Sequence, residues 1–378
     1  MSAAGLIFSN IHDSSLPELT ARRTMGSVPF GCRYRLIDFP LSNMVNAGIS
    51  KIGIVTHNNY QSLMDHIGTG KDWDLARRSG GIKLLPPFIT AYENSVSKRL
   101  YNTRLEALIG VSNFISRCSE EHIVFSDSDI ICNIDIAGVI RAHEEKTADV
   151  TIVTRGIESD EFLHSEDVYS VSAEFDGRVS GVFAINTDTP LDARVSMNII
   201  VIGRNYLMGL INEAISCGYS DFYRDVIAKV IKKGRVYEYC FDGISLKLNS
   251  LESYFASSMR LLNDDTRSDI LENEQRPIYT KVRNSAPTLY KNSSSVKNSF
   301  VADGCVIEGE VENSIIFRGV RIGKGSVVKN SILLQGTFVG NNVRLGCVIS
   351  DKDVIIKDER ELSGHKSMPF FISKGRSV

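Results

Sequence analysis

Cysteine pairs, histidine clusters and long apolar runs are all scarce in this chain of 378 residues. Its seven cysteines are an odd number, lie far apart and form neither a CxxC pair nor a metal-ligand spacing. They therefore indicate reduced residues of a cytosolic protein rather than a disulfide framework or a zinc site. No apolar stretch approaches the length of a membrane span, and the N-terminus lacks the features of a signal peptide. We expect a cytoplasmic protein with no membrane partner.

Excess charge of either sign is also lacking, because the formal net charge is -2 at pH 7. This balance argues against nucleic acid as a partner, although it leaves room for a local basic pocket that binds a phosphorylated metabolite. The hydrophobic fraction of 43% can build a large core, and the length exceeds that of a usual single domain. Two domains are the expectation.

Short apolar runs alternate with helix-like segments up to about residue 255. The runs read GLIFSN, KIGIVTHN, HIVFSDSD, VTIVTRG and MNIIVIG. This alternation predicts an α/β domain with a largely parallel sheet, in which functional residues follow the carboxyl ends of the strands.

An imperfect repeat of aliphatic residues six apart begins near residue 296. It runs through Val301, Ile307, Ile316, Ile322, Val328, Leu334, Val339 and Leu345. A period of six with Gly and Asn at the corners predicts a left-handed β-helix with one inward residue per coil side, and the alternative is an antiparallel sandwich. The expected domains are 1–255, a helix and Pro-containing linker over 256–290, and the β-helix over 291–378.

Histidine is missing from the repeat itself. Hexapeptide acyltransferases use a histidine on or beside the coil as general base, whereas the histidines here are at 12, 57, 66, 122, 143, 164 and 365. The β-helix is therefore expected to be structural or regulatory.

Two long segments carry a specific resemblance. FGCRYRLIDFPLSNMVNAGISKIGIVT (30–56), and IYTKVRNSAPTLY (278–290) with the repeat that follows, resemble glucose-1-phosphate adenylyltransferases. The resemblance implies a Rossmann-like nucleotidyltransferase domain before the β-helix. The family reaction is attack of a glucose-1-phosphate oxygen on the α-phosphate of ATP, which rests on positioning and on neutralising phosphate charge with cations and Mg²⁺.

The positions that match the family's catalytic groups are altered in this chain. The glycine-rich phosphate loop is replaced by SNIHDSSL (9–16), with Ser15 at the arginine position, and the phosphate-facing lysine falls on Met25. TRLEAL (103–108) matches the adenine-ribose segment, and VFAIN (182–186) replaces the glucose-phosphate signature, with Ile185 at the lysine position.

The metal position is altered as well. Asp129 matches the first metal-binding aspartate, but Lys247 matches the second, and an ammonium group repels Mg²⁺. The resemblance therefore implies no metal ion in this chain, with Asp129 a remnant ligand.

Some substrate-side and effector-side positions are retained. Ser196, Met197 and Asp221 match sugar-phosphate residues, kept either for residual binding or for packing. Arg22, Arg23 and Arg35, with Lys366 as a possible contributor, match a family cleft that binds a phosphorylated effector, and the alternative is an ordinary solvated charged face.

Loss of catalytic groups beside retained effector cations resembles the GlgD-type regulatory subunits of this family. The resemblance implies a catalytic adenylyltransferase subunit as partner, Mg²⁺ in that partner rather than here, a heterotetramer, and a homo-oligomer when the chain is alone. The alternatives are an active adenylyltransferase with an atypical loop, a structural scaffold, and a GDP-mannose-type nucleotidyltransferase.

Overall fold

A computed structural model describes residues 2–77, 79–86, 101, 103–157, 168–186, 189–190 and 193–378. His164, one of the histidines considered above, lies outside the described residues. None of the helices in the described ranges has the length and apolar character needed to cross a membrane.

A nine-stranded mixed sheet forms the centre of the N-terminal domain. Its main path runs β10-β9-β11-β6-β1-β4-β5, and β8 and β12 complete it beside β11. The strands are β1 (Ala3–Phe8), β4 (Lys51–Val55), β5 (Gly81–Leu85), β6 (His122–Asp127), β8 (Val150–Gly156), β9 (Tyr169–Ala173), β10 (Val179–Ala184), β11 (Arg194–Gly203) and β12 (Val236–Cys240). Two small sheets pair β2 (Pro29–Phe30) with β3 (Tyr34–Arg35), and β7 (Ile130–Cys132) with β13 (Ser245–Lys247).

The five predicted strands are all present, but the sheet is less parallel than expected. β1 pairs in parallel with β4 and β6, as the α/β pattern predicts. β11 instead runs antiparallel to β6, β8 and β9. The apolar run of a buried strand does not encode its direction, because both of its faces are covered either way.

Helices cover both faces of this sheet, and two more lead to the second domain. They are α1 (Pro17–Thr20), α2 (Asp38–Asn46), α3 (Gln61–Ile67), α4 (Arg104–Gly110), α5 (Ser112–Ser116), α6 (Ile136–Glu145), α7 (Arg204–Cys217), α8 (Ala228–Lys233), α9 (Leu251–Arg260) and α10 (Asp264–Leu271). A capping box between Ser250 and Ser253 starts α9. Because α9 continues past residue 255, the predicted domain boundary falls inside a helix.

The C-terminal domain is a left-handed parallel β-helix of five coils. Three five-stranded parallel sheets form its sides, each stacking one strand from every coil. The strands are β14 (Leu289–Tyr290), β15 (Ser295–Lys297), β16 (Phe300–Val301), β17 (Val306–Ile307), β18 (Glu310–Glu312), β19 (Ile315–Ile316), β20 (Arg321–Ile322), β21 (Val327–Lys329), β22 (Ile332–Leu333), β23 (Phe338–Val339), β24 (Arg344–Gly346), β25 (Val348–Ser350), β26 (Ile355–Ile356), β27 (Glu361–Ser363) and β28 (Phe370–Ile372).

The inward residues follow the predicted repeat with one exception. The interior cluster contains Ile307, Ile316, Ile322, Val328, Val339 and Leu345, with Val301 packed against it. Leu333, not Leu334, fills the remaining place, so the prediction for Leu334 is wrong. β22 ends at Leu333, and Leu334 packs into the core between the domains instead.

That core between the domains is a continuous apolar cluster. It joins Met25, Phe30 and Phe39 of the N-terminal domain to Tyr254 of α9 and to outward residues of the β-helix. The outward residues are Ile315, Ile332 and Ile349, one above another along a single sheet. The two domains are therefore packed together along one face of the β-helix.

Candidate functional site

The loop after β1 is closed by its own side chains. The Asp13 carboxylate accepts a hydrogen bond from the backbone N–H of Met25 at 2.6 Å. Burial raises the pKa of Asp13 to about 7, against the opposing effects of that N–H and of His12. The Met25 side chain points into the core between the domains, and Ser15 ends a short 3₁₀ helix. The backbone N–H of Met25 is therefore already engaged by a side chain of this loop.

A buried cluster of charged groups lies at the carboxyl end of β6. Arg104 Nη2 donates to Asp127 Oδ2 at 2.5 Å, and His12 Nε2 lies 2.8 Å from the same oxygen. Although burial raises the pKa of Asp127, Arg104, His12 and Lys247 outweigh it and lower the pKa to about 2. Asp127 is therefore a carboxylate held ionised inside the domain.

Asp129 forms the second half of this cluster. β7 and β13 pair in antiparallel register, with Lys247 opposite Ile130. That pairing places the Lys247 ammonium on the Asp129 carboxylate, and both side chains are buried. Lys247 and Asp129 therefore form a direct ion pair, which was not predicted from the sequence.

The retained sugar-side residues are engaged in internal hydrogen bonds. A bulge in β11 puts Asn198 at φ 55°, next to the cluster. Ser196 Oγ lies 2.6 Å from the Tyr223 hydroxyl, and Asn198 Oδ1 accepts from Arg104 Nη1 at 3.1 Å. Met197 is buried in the core on the opposite side of the strand.

Asp221 is similarly engaged. Its carboxylate accepts from the Tyr169 hydroxyl at 2.8 Å and from the Arg224 N–H at 2.6 Å, which caps a short helix. Ile185 packs in a small apolar cluster with Val168 and Val195. The cavity bounded by Arg104, Asp221 and their neighbours has a volume of ≈ 30 Å³, which is also the volume of the cleft between the domains.

A second site, here called the cationic cleft, lies between the domains. It is lined by the cations Arg33, Arg35, Arg283, Arg318 and Lys352, with His66 beside them. No carboxylate is among its described lining residues, and the salt bridge from Arg318 to Asp303 at 2.9 Å is the one such pair these cations make within the described ranges. The cleft therefore carries a local excess of positive charge.

Burial and the neighbouring cations lower the pKa values of two of these groups. Burial, together with Arg35 and Arg23, lowers the pKa of Lys352 to about 7. Burial, with Arg283 and Arg23 adding to it and Asp38 opposing it, lowers the pKa of Arg35 to about 10. An anion in the cleft would relieve this repulsion.

The predicted effector residues do not all lie together. Arg35 lines the cleft and also donates to the carbonyl of Ser62 at 2.5 Å. Arg23 is buried and donates to both oxygens of Asp351 at 2.8 Å, so it joins the domains directly. Arg22 is exposed. Lys366 stands on another corner of the β-helix and lines a different groove, beside α9. The prediction that it shares a site with the cleft arginines is therefore not met in the structure.

The chain matches two family models, one for each domain. Its residues 14–162 match the Nucleotidyl transferase family, and residues 286–366 match the GlmU-like, C-terminal hexapeptide family. The chain is 35% identical over 373 residues to the Glycogen biosynthesis protein GlgD of Bacillus subtilis (strain 168), covering 98% of this chain and 95% of that protein.

Two further relatives carry the name of an enzyme. The chain is 31% identical over 356 residues to the Glucose-1-phosphate adenylyltransferase of Bacillus anthracis, covering 91% of this chain and 90% of the relative. It is 28% identical over 337 residues to the Clostridium perfringens (strain 13 / Type A) enzyme, covering 88% and 84%. This chain belongs to the glucose-1-phosphate adenylyltransferase family.

The family resemblance implies Mg²⁺, and the charged cluster holds the carboxylates that such an ion prefers. His12, Asp127 and Asp129 offer ligand atoms within 4.8 Å of one another, and one oxygen of each carboxylate has no hydrogen-bond partner among the described residues. Arg104 and Lys247, however, already balance the two carboxylates with two positive charges. With no net negative charge left to attract a dication, these residues do not fit Mg²⁺.

Several groups of these two sites were not predicted from the sequence. Arg104 lies in the segment TRLEAL, matched above to the adenine-ribose side, but its guanidinium bonds Asp127 instead. His12 and the cleft residues Arg283 and Lys352 were also not predicted. The DK pair at 351–352, on a β-helix corner beside the domain interface, was the available signal for Lys352.

Proposed function

We propose that this chain is a regulatory, non-catalytic subunit of glucose-1-phosphate adenylyltransferase in glycogen biosynthesis. The ion pair between Lys247 and Asp129 carries the proposal, because it occupies the metal position of a reaction that depends on charge neutralisation. Asp13 and Met25 support it, since they replace groups that would neutralise or contact phosphate. No step of nucleotidyl transfer is assigned to this chain.

The cationic cleft gives the subunit its proposed role as a sensor. Arg35 and Lys352 project from different domains toward one space, so a bound anion contacts both domains at once. A phosphorylated metabolite would form charge-assisted hydrogen bonds there. Because such binding favours one arrangement of the domains, it can alter the contact with a catalytic partner by a coupling of about 1–3 kcal/mol. Mg²⁺ is supplied at the partner's active site in this proposal.

The test is an assay of ADP-glucose formation with the chain alone, its catalytic partner alone, and both mixed, under reducing conditions that match a cytoplasm. The proposal expects the lone chain to be nearly inert, because each missing neutralising group is commonly worth about 10²–10³ in rate. It expects the mixture to differ from the partner in rate or in effector response. A turnover number on the order of 10 s⁻¹ for the lone chain, typical of enzymes generally, would refute it.

A variant pair separates sensing from assembly. Arg35→Ala should reduce the effector response of the mixture, whereas Lys324→Ala, an exposed lysine outside the cleft, should leave it unchanged. Light scattering confirms that each mixture forms a complex. Identical kinetics with and without the chain, in a confirmed complex, would reduce its role to a scaffold.

A further inference from the structure

A large groove lies away from both sites discussed above. It runs between α9 and one corner of the β-helix and has a volume of ≈ 780 Å³, within the range typical of small-molecule sites. Its apolar lining is formed by Phe255, Met259 and Leu262. We call it the amide groove, after the asparagines that also line it.

Three asparagines form one wall of the groove. Asn298, Asn313 and Asn330 follow strands β15, β18 and β21, which stack in parallel register, so the amides form a column with about 4.8 Å between rungs. Asn298 Nδ2 donates to Asn313 Oδ1 at 2.8 Å. The Asn330 side chain makes no hydrogen bond with another described residue. Since each amide has two donors and two acceptor lone pairs, most of this capacity faces the groove unused.

Backbone geometry alone does not explain these amides. Asn298, Asn313 and Asn330 have φ of 41°, 46° and 46°, where glycine or asparagine is favoured. The equivalent left-handed positions on another corner are Gly304, Gly319 and Gly336, with φ of 77°, 69° and 75°. That corner meets the same conformational need without a side chain. On the corner that carries the asparagines, the next left-handed residue along the β-helix is Cys347, which does not line the groove. The amides therefore occur where the groove occurs.

The charges around the groove select against an anion. Asp264 and Asp265 line it together with a single cation, Lys366, and Asp264 already pairs with Arg267 at 2.8 Å. This is the opposite of the cationic cleft, whose described lining has no acid. A ligand that both donates and accepts hydrogen bonds, carries no charge and has an apolar face suits these walls.

We infer that the amide groove is a binding site for an uncharged oligosaccharide chain. Hydroxyl groups of successive sugar units bond the stacked amides, and the apolar faces of the sugars lie on Met259 and Leu262. Lys366 acts here as a hydrogen-bond donor to a neutral ligand. The inference is independent of catalysis and of the cleft, and only the choice of an α-glucan as first probe rests on the proposed function.

Glycine substitution gives a sharp test, because glycine retains the left-handed backbone while deleting the amide. Maltoheptaose is titrated calorimetrically into the full chain and into a triple variant with Asn298→Gly, Asn313→Gly and Asn330→Gly. The triple variant should bind about tenfold more weakly or worse, since three hydrogen bonds are lost. Asn342→Gly, at φ 53° on a different corner, is the matched control and should bind normally.

Thermal melting checks that all variants remain folded, and cellohexaose is tested as a second uncharged chain. If neither maltoheptaose nor cellohexaose binds the wild-type chain, the inference is overturned. Equal affinity of the wild type and the triple variant would also overturn it. If the sugars do not bind but the triple variant changes the mass measured by light scattering, the inference is likewise overturned, and the groove is a contact between chains instead.

Discussion

Replacing Lys247 by Asp tests most directly how the metal position has been altered. In the folded chain the Lys247 ammonium balances the buried Asp129 carboxylate, as Arg104 balances Asp127. Lys247→Asp changes the local charge by two units and leaves two carboxylates uncompensated, that of Asp129 and the introduced one. Breaking a buried pair from one side costs about 3–5 kcal/mol. For a domain of this size we expect a melting temperature lower by roughly 6–20 °C.

Magnesium should then stabilise the variant. Three carboxylates with His12 nearby form an oxygen-rich site, which Mg²⁺ prefers. At a concentration of about one hundred times Kd, a ligand that binds only the folded state contributes about 2.7 kcal/mol, or roughly 5–11 °C here. The assay is a thermal melt of wild type and variant with and without Mg²⁺, with Lys324→Asp as an exposed-lysine control that should behave as wild type.

The wild type and the Lys247→Asp variant should respond differently to Mg²⁺. The wild type should not respond to Mg²⁺, because Lys247 and Arg104 already neutralise the cluster. A variant as stable as the wild type without Mg²⁺, or a wild type stabilised by Mg²⁺ as much as the variant, would show that the ion pair does not define this site.

Three other predictions follow from buried groups. Ile322→Asp should lower the stability of the β-helix by several kcal/mol, because it buries an unpaired carboxylate, whereas Arg321→Asp on the exposed face of the same strand should not. Circular dichroism melts that are the same for the two variants would contradict this prediction. Asp351→Asn should cost about 3–5 kcal/mol in urea unfolding, since it leaves Arg23 buried and charged, and wild-type stability would refute a role in joining the domains. The pKa of Asp13 rises from 3.8 to about 7 on folding, so between these pH values the folded state keeps a proton that the unfolded state has released, and the free energy of unfolding should fall as pH rises. Denaturant unfolding should show a weaker pH dependence for Asp13→Asn, and parallel pH profiles of wild type and variant would contradict the prediction.

The β-helix was determined largely by the sequence alone. Each coil contacts only its neighbours, so the inward position recurs at a nearly fixed local interval and can be read from residues such as Ile316, Ile322 and Val328. The exception at Leu334 occurs where the repeat shortens by one residue and the outward face is covered by the other domain. The local periodicity of the sequence does not show where another domain covers an outward-facing residue.

The residue types at the metal position were also determined by the sequence. Asp129 and Lys247 stand at matching positions of a family pattern, and opposite charges brought together in a buried place must pair or pay a desolvation cost. The sequence did not reveal the full cluster. Arg104 and His12 reach Asp127 only because α4, β1 and β6 converge at one edge of the sheet.

Tertiary structure alone decided which cations share a cleft. Arg35 and Lys352 come from different domains and meet because the apolar core between the domains fixes their relative positions. Lys366 is near Lys352 in sequence yet stands on another corner of the β-helix, beside the amide groove. A coil of the β-helix turns through all three corners within a few residues, so closeness in sequence does not give a shared site. Whether two residues of the β-helix share a site depends on which face of the β-helix packs against the N-terminal domain.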